Sequence, residues 1–469
     1  MTRRNGPGQA SLLFLLTTGG LVALGCGDPS TSPEPPTYSV EPLHQWAGGT
    51  VTVTPGGVRF EIGDVIARGD DTLAIVELSV QSASVRIPSD ANGPTVLTVR
   101  RAGQSLGTVE LEAYGYAGMR VYPELMADQI TKLPGPNGGS VVGPASRSQD
   151  PNEGFVWIHP SAGTHRLFPG SPGMGRLFHT GVDPATGEIY YEWYTDCSAE
   201  DGCQDRVHAG SIVGGDLVDT RWIDRPCDRW GCFPLAGDIW ILPDWGYTCR
   251  VTSTPEGETC VQIDRTAVDD PRGTERLWSA DAALVLFPDL PVFRLSTGEV
   301  RYRGNWPPAL EDLRVESAAV DEARGFFYVS AHRLEEDEES LRLAIVTLTA
   351  ENGSLDRAFE LTLTCPVGLV PPVRCEEPDL GYADRQDVIF VVRRDTWTIE
   401  VRDGATYAML GEIAMAEHPE RWLAARVMVD ETSDRAFVVF SASSRFETDR
   451  GRYEPILGTP VVEFRLPPL

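Results

Sequence analysis

The chain has 469 residues, a formal net charge of −28 and nine cysteines. It is too long for one hydrophobic core, so roughly two to four folding units are expected. A field of that sign repels phosphate and anionic lipid, which argues against nucleic acid and against peripheral membrane binding.

From its start the chain reads Met1-Thr-Arg-Arg-Asn, then an apolar run from Ser11 to Leu24, then Gly25-Cys26. A basic start before an apolar run too short and too glycine-broken to span a bilayer has the form of a secretory signal. Ala23-Leu24-Gly25-Cys26 resembles the lipobox of bacterial lipoproteins, with Ala where Leu is usual. The resemblance implies a signal peptide over 1–25, lipid on Cys26, and the cell envelope as address, periplasm-facing or at the cell surface. Two or three acyl chains are then expected to be the only membrane attachment, each buried methylene contributing about 0.8 kcal/mol. Residues 26–38 follow as the lipidated cysteine and a Pro/Ser-rich tether with nothing to bury.

Short apolar alternations come next: Val51-Thr-Val-Thr, Val58-Arg-Phe-Glu-Ile, Leu73-Ala-Ile-Val-Glu-Leu, Ser84-Val-Arg-Ile, Val96-Leu-Thr-Val and Val109-Glu-Leu-Glu-Ala-Tyr. This period of two, broken by turn residues, predicts a small β-sandwich over 39–117. The stretch Val85-Arg-Ile-Pro-Ser-Asp-Ala-Asn-Gly-Pro-Thr-Val-Leu-Thr-Val resembles the closing strands of the immunoglobulin-like IPT/TIG family. That resemblance implies a spacer. Arg68-Gly-Asp70 is read as a chance match to an adhesion tripeptide.

From residue 118 to 469 two units alternate. One is an apolar strand, an Asp-led turn and an aromatic strand: Gly181-Val-Asp-Pro-Ala-Thr-Gly-Glu-Ile-Tyr-Tyr, Ala319-Val-Asp-Glu-Ala-Arg-Gly-Phe-Phe-Tyr-Val, Tyr382-Ala-Asp-Arg-Gln-Asp-Val-Ile-Phe and Val429-Asp-Glu-Thr-Ser-Asp-Arg-Ala-Phe. The other is a strand, a glycine turn and a return strand, as in Val292-Phe-Arg-Leu-Ser-Thr-Gly-Glu-Val-Arg-Tyr. Each pair of units makes four antiparallel strands, and the turns recur every ~40 to 55 residues, the period of β-propeller blades. The pattern resembles bacterial NHL and YVTN repeat propellers and implies about seven blades, six or eight being the alternatives. The last strand, from Val461, has no return strand, and Met119-Arg-Val-Tyr122 is expected to supply the missing outer strand.

With Cys26 lipidated, the remaining cysteines fall into four neighbouring pairs: Cys197 with Cys203, Cys227 with Cys232, Cys249 with Cys260, and Cys365 with Cys375. Eight cysteines allow 105 pairings, and proximity favours this one in an oxidising compartment. Zinc is the competing reading, though no pair has the two-residue spacing of a zinc knuckle.

No catalytic motif in the chain rises above chance, which leaves an enzyme as the less favoured reading. His-Glu-x-x-His, Gly-x-Ser-x-Gly, a Walker loop and an EF-hand loop are all missing. The only lysine, Lys132, lies among Pro and Gly, leaving lysine-based chemistry almost without a candidate. The recurrent Asp183, Asp321, Asp384 and Asp430 precede turns, where a carboxylate accepts backbone N–H bonds and fixes the hairpin. The run Glu335-Glu336-Asp337-Glu338-Glu339 reads as a solvated loop rather than a cation site.

Strand alternation predicts that the loops around Cys197–Cys203, Cys227–Cys232 and Cys365–Cys375 emerge on one propeller face. The acidic run, Asp244-Trp-Gly, Asn305-Trp-Pro-Pro and Arg445-Phe-Glu join them there, while Cys249–Cys260 spans a third-to-fourth-strand hairpin. Trp193, Trp230, Trp245, Trp306, Asp228, Arg229 and Asp244 are therefore the candidate binding residues, for a protein or carbohydrate ligand. No catalytic residue, metal ligand or cofactor is predicted, Ca2+ being the one ion such a channel could take. The expected function is an envelope lipoprotein with a binding propeller. The alternatives are a lyase, lactonase or glycosidase with carboxylates or metal at the central channel, and a scaffold of an envelope complex.

Overall fold

The computed structural model describes residues 36–122, 131–133, 140–144, 155–168, 177–182, 186–193, 206–224, 233–236, 239–242, 247–254, 257–265, 275–278, 283–286, 291–294, 300–302, 314–321, 323–334, 340–349, 355–364, 379–393, 396–417, 425–440, 444–447, 452–455 and 458–468. All regular structure among them is β-strand, as expected of an all-β chain.

The first unit is a sandwich of two sheets. One runs in the order Thr37–Glu41, Thr50–Gly56, Ala83–Arg86, Ile75–Leu78. The other runs His44–Trp46, Gln104–Tyr114, Gly93–Arg101, Val65–Arg68, Asp71–Thr72, with its first pair parallel. Alternation does what the pleat demands: along Gly93–Arg101 the buried positions are Gly93, Thr95, Leu97 and Val99, every second residue. Val51, Val53, Val85, Leu97, Val99 and Leu111 from both sheets then share one core.

One expected strand is missing. Val58-Arg-Phe-Glu-Ile forms a loop, because only Phe60 turns inward while Ile62 is 102% exposed. Gly57 and Gly63, both at positive φ, bracket it, and Asp64 accepts a bond from the Glu61 amide at 2.8 Å. The strand that sequence periodicity passed over is Val65–Arg68, immediately after this loop. At the other end of the sandwich sequence, the first strand opens at Thr37, and Tyr38 packs on Phe60 with ring centroids 6.2 Å apart.

Among the described residues, seven four-stranded antiparallel sheets follow. Their first strands are Thr131–Leu133, Leu177–Val182, Phe233–Ala236, Glu275–Trp278, Arg314–Asp321, Leu380–Ala383 and Ala425–Asp430, and each lies against the sheet that comes next. In the first six sheets the strands follow chain order. A sheet held between two neighbours buries both faces, so alternation gives way to continuous apolar runs. Val388, Ile389, Phe390, Val391 and Val392, successive residues of one strand, are all buried.

The seventh sheet is completed from elsewhere in the chain. Its own strands are Ala425–Asp430, Arg435–Phe440 and Thr459–Arg465, and Tyr116–Tyr122 pairs outside the last of these, with Arg120 opposite Val461 and Tyr122 opposite Thr459. This is the strand expected from Met119–Tyr122. Tyr122, Val156 and Ile158 meet Met428, Phe437, Val439 and Val461 in one cluster, so the first sheet packs on the last and the ring closes.

The sandwich does not hang free of the ring. Trp46, 6% exposed, sets its ring edge-on to Phe390 at 5.8 Å. The Glu412 amide donates to Ala47 O at 2.8 Å, the Ala414 amide to Ser89 O at 2.9 Å and the Arg465 amide to Gly115 O at 3.1 Å. Arg465 also pairs with Glu112 at 2.9 Å. Trp46, Ala47 and Tyr114 thus share a core with the sixth and seventh sheets.

Candidate functional site

In a four-stranded meander, the second-to-third loop and the link to the next sheet leave from the same end. The second sheet places Cys197 and Cys203 between Ile189–Trp193 and Arg206–Val213, a second-to-third connection. Cys227 and Cys232 lie between Asp216–Asp224 and Phe233–Ala236, and Cys365 and Cys375 between Leu355–Thr364 and Leu380–Ala383, both links between sheets. The acidic run lies between Phe326–Leu334 and Ser340–Thr349, and Asp244 and Trp245 between Ile239–Leu242 and Tyr247–Thr254. Trp306 falls between Val300–Tyr302 and Arg314–Asp321. The strands flanking all these segments therefore open toward one end of the ring.

Cys26, Cys197, Cys203, Cys227, Cys232, Cys365, Cys375, Trp230, Trp245, Trp306, Asp228, Arg229 and Asp244 themselves lie outside the described residues. Trp193 ends its strand. Cys249 and Cys260 stand on the third and fourth strands of the third sheet, opposite Gln262 and Val251 respectively, two register positions apart on adjacent strands.

One described pair anchors the loop-bearing end. Asp379 directly precedes the first strand of the sixth sheet, where the segment holding Cys365 and Cys375 rejoins the ring. It is 5% exposed. Its carboxylate accepts from the Val427 amide at 2.7 Å and from Arg426 Nη1 at 3.3 Å, both on the first strand of the seventh sheet. A buried carboxylate is tolerable only with such partners. The result is a pin between the sixth and seventh sheets at the start of their first strands.

The opposite end carries a denser network that sequence reasoning read only in part. Asp321, fully buried, accepts the Arg324 amide at 2.9 Å and so fixes its turn as expected. The Arg324 side chain extends this into a cross-sheet cluster. It pairs with Asp321 and Asp387, and its Nη2 donates to the Tyr328 and Tyr382 hydroxyls at 2.8 Å each. Tyr382 donates to Asp321 or Asp387, at 3.1 and 3.0 Å, and Tyr328 donates to Gly404 O at 3.2 Å.

Burial, reinforced by the neighbouring carboxylates, pushes both tyrosines above their ordinary range. Burial works against the Arg324 charge, but Asp321, Tyr328 and Tyr382 together more than offset it, so the charge is held more firmly. With phenols held neutral and a fixed guanidinium, the cluster ties the fifth sheet to the sixth as a clamp. The signal that could have found it is Asp321-x-x-Arg324, one turn with both charges.

Asp430 is a second such turn. Its carboxylate accepts from the Thr432 amide at 3.1 Å, the Thr432 hydroxyl at 2.6 Å and the Ser433 hydroxyl at 2.6 Å. Among the described residues, no three His, Cys, Asp or Glu side chains converge as a metal would require.

The fold is thus that of a β-sandwich joined to a β-propeller. No protein-family model matches the chain, and no curated protein matches it. Among solved structures, an auxiliary nutrient binding protein from Bacteroides thetaiotaomicron is 11% identical over 76% of this chain and 95% of its own, with a TM-score of 0.34. The Myceliophteria thermophila Cps50 (Swd1) β-propeller domain is 9% identical over 76% of this chain and 100% of its own, with a TM-score of 0.40. These likenesses are too distant to transfer an activity, and the fold assignment rests on the sheet order itself.

Proposed function

We propose that this is an exported, lipid-anchored protein whose propeller captures a protein or carbohydrate ligand outside the cytoplasm, with an immunoglobulin-like sandwich between the anchor and the ring. The reading is supported above all by strand order: the segments that hold three close cysteine pairs, three of the four candidate tryptophans and the acidic run all leave from one end of the ring. Small disulfide loops lose little entropy when a partner is bound, each closure contributing about 2 kcal/mol to loop order. Tryptophan supplies rigid contact area of the kind that dominates binding energies.

The test is to replace Trp230 and Trp245 with Ala and measure thermal stability beside capture on a glycan array and from envelope extract. Stability should hold while capture of the ligands retained by the wild type falls at least tenfold. A loss of about 3 to 5 kcal/mol of stability at both sites would return these residues to the core and sink the binding-face reading.

A further inference from the structure

The two ends of the sandwich differ in kind. Trp46, Tyr114, Ser89 and Gly115 occupy the end that meets the ring. The far end is built from the loop after Thr50–Gly56, the turn between Ile75–Leu78 and Ala83–Arg86, the hairpin between Gly93–Arg101 and Gln104–Tyr114, and the entry of the chain at Pro36.

This far end exposes four large apolar side chains beside polar neighbours such as Arg59, Glu61 and Gln81. Ile62 is 102% exposed, Val80 56%, Leu78 40% and Val58 37%. The Phe60 amide donates to Val80 O at 3.2 Å, which ties the Val58–Ile62 loop to the neighbouring turn. Phe60 itself is turned inward onto Tyr38. A Cβ built at Gly107 would meet Tyr38 at 2.8 Å and Pro36 O at 3.0 Å, so the chain enters hard against the same loops. A Cβ at Gly57, Gly63 or Gly103 would meet nothing within 4 Å, which marks the loop tips as open to whatever lies beyond.

Charge at this end is balanced although the chain as a whole is strongly acidic. Arg101 donates to Asp64 at 2.7 Å and to Glu61 at 2.6 Å, and its Nη2 reaches Arg59 O at 2.9 Å. Arg101 alone pairs with both carboxylates, while Arg59 accepts through its carbonyl and adds its own charge to the same loop, so the formal charges of Arg59, Glu61, Asp64 and Arg101 sum to zero.

We propose that this end of the sandwich rests on the bilayer, with Ile62, Val80 and Val58 inserted among the lipid headgroups. The inference rests on the lipid-anchor reading. A lipid on Cys26 lies at most about 35 Å of extended chain from Pro36, so the loops beside Pro36 are held within reach of the surface. An exposed apolar tip beside a neutral ion-pair cluster is suited to a zwitterionic interface, where apolar side chains leave water without a charge having to follow. Docked in this way, the sandwich would hold the ring at a set orientation to the membrane, because its other end is packed into the sixth and seventh sheets.

The test uses the full chain extracted from membranes. Mass spectrometry of its N-terminal peptide reads lipidation, and absence of lipid on Cys26 would remove the anchor reading and this inference together. The lipid-bearing Ile62→Trp protein is then placed in vesicles of phosphatidylcholine with brominated acyl chains, beside wild type and Val213→Trp, an exposed valine on the second sheet of the ring. Ile62 touches no core, so the substitution leaves the fold intact. The added emission at position 62 should shift to the blue and be mostly quenched, while that at position 213 is not. A lipidated Ile62→Trp protein whose added emission stays red and unquenched overturns the docking alone. If that emission is unquenched but blue-shifted, and the protein sediments as a dimer, the surface belongs to a second copy instead.

Discussion

Asp430 illustrates how much one carboxylate can hold. It is 3% exposed, and burial alone would raise its pKa. Hydrogen bonds from Ser433, Thr432 and Ser161 more than reverse this and hold it below the ordinary carboxylate value. Ser161 lies in the turn between Phe155–His159 and Thr164–Phe168 of the first sheet and Asp430 ends a strand of the seventh, so the same group caps a turn and helps close the ring. A folded-state pKa below the unfolded one contributes stability that is present above about pH 3.9 and fades as pH falls through the folded value. Asp430→Asn should therefore cost about 1.5 to 3 kcal/mol near neutrality. The gap to wild type, followed by urea unfolding, should stay constant above about pH 5 and close below about pH 4. A gap that persists unchanged to about pH 2 would show that the charge contributes nothing. The turn role of Asp321 and Asp430 was legible in the sequence because the acceptor and its donors are two or three residues apart. Arg324 with Asp387 and Tyr382 was not, since those partners lie on another sheet and only the fold brings them together.

Elements were legible where one face meets water. Gly93–Arg101 alternates because its sheet has a wet face, and its period of two was read directly. The Val58–Ile62 segment has the same period, yet its glycine flanks and an outward Ile62 make it a loop, so composition at the boundaries outweighs the alternation within. What no pattern signals is close backbone approach between distant elements. Along the seam of sandwich and ring, a Cβ at Gly411 would meet the Trp46 Cβ at 2.5 Å and Ala47 O at 2.6 Å, and one at Gly48 would meet Glu412 O closer still. Neither glycine could be singled out before the seam was known. Gly411→Val should force the two units apart and split one thermal transition into two, read by calorimetry. Gly57→Ala, with open space at φ +83°, should cost about 1 to 2 kcal/mol of backbone strain and leave the transition single. If Gly411→Val still melts in one step, the seam is not what couples the units.

At the scale of the molecule, the repeat period pointed to a ring of four-stranded sheets, and the sheets are there in succession. Their candidate binding residues could be assigned to one end by counting strands, which requires only chain order. How the sandwich attaches was illegible, because Trp46 and Tyr114 read equally well as core of their own sandwich. Closure is the property on which the whole ring depends. The seventh sheet takes its outer strand from Tyr116–Tyr122, and the two paired segments stand at opposite ends of the ring's sequence. Arg120 lies against the Gly163 turn, Tyr122 sets its ring edge-on to His165 at 5.8 Å, and a Cβ at Gly458 would meet Val121 at 2.5 Å. The closing strand is therefore gripped by the first and last sheets at once. Without it, the seventh sheet would expose an apolar edge and the first sheet would lose its neighbour. Hydrogen exchange on the intact protein tests this directly: amides of Met119–Tyr122 that donate across the pairing should exchange as slowly as those of Val438 and Val462 in the same sheet. A strand merely resting on the rim would open locally and exchange many times faster. Fast exchange over Met119–Tyr122 beside slow exchange at Val438 and Val462 would mean that the ring is sealed by the packing of Val156 and Ile158 on Phe437 and Val439, with the added strand as ornament.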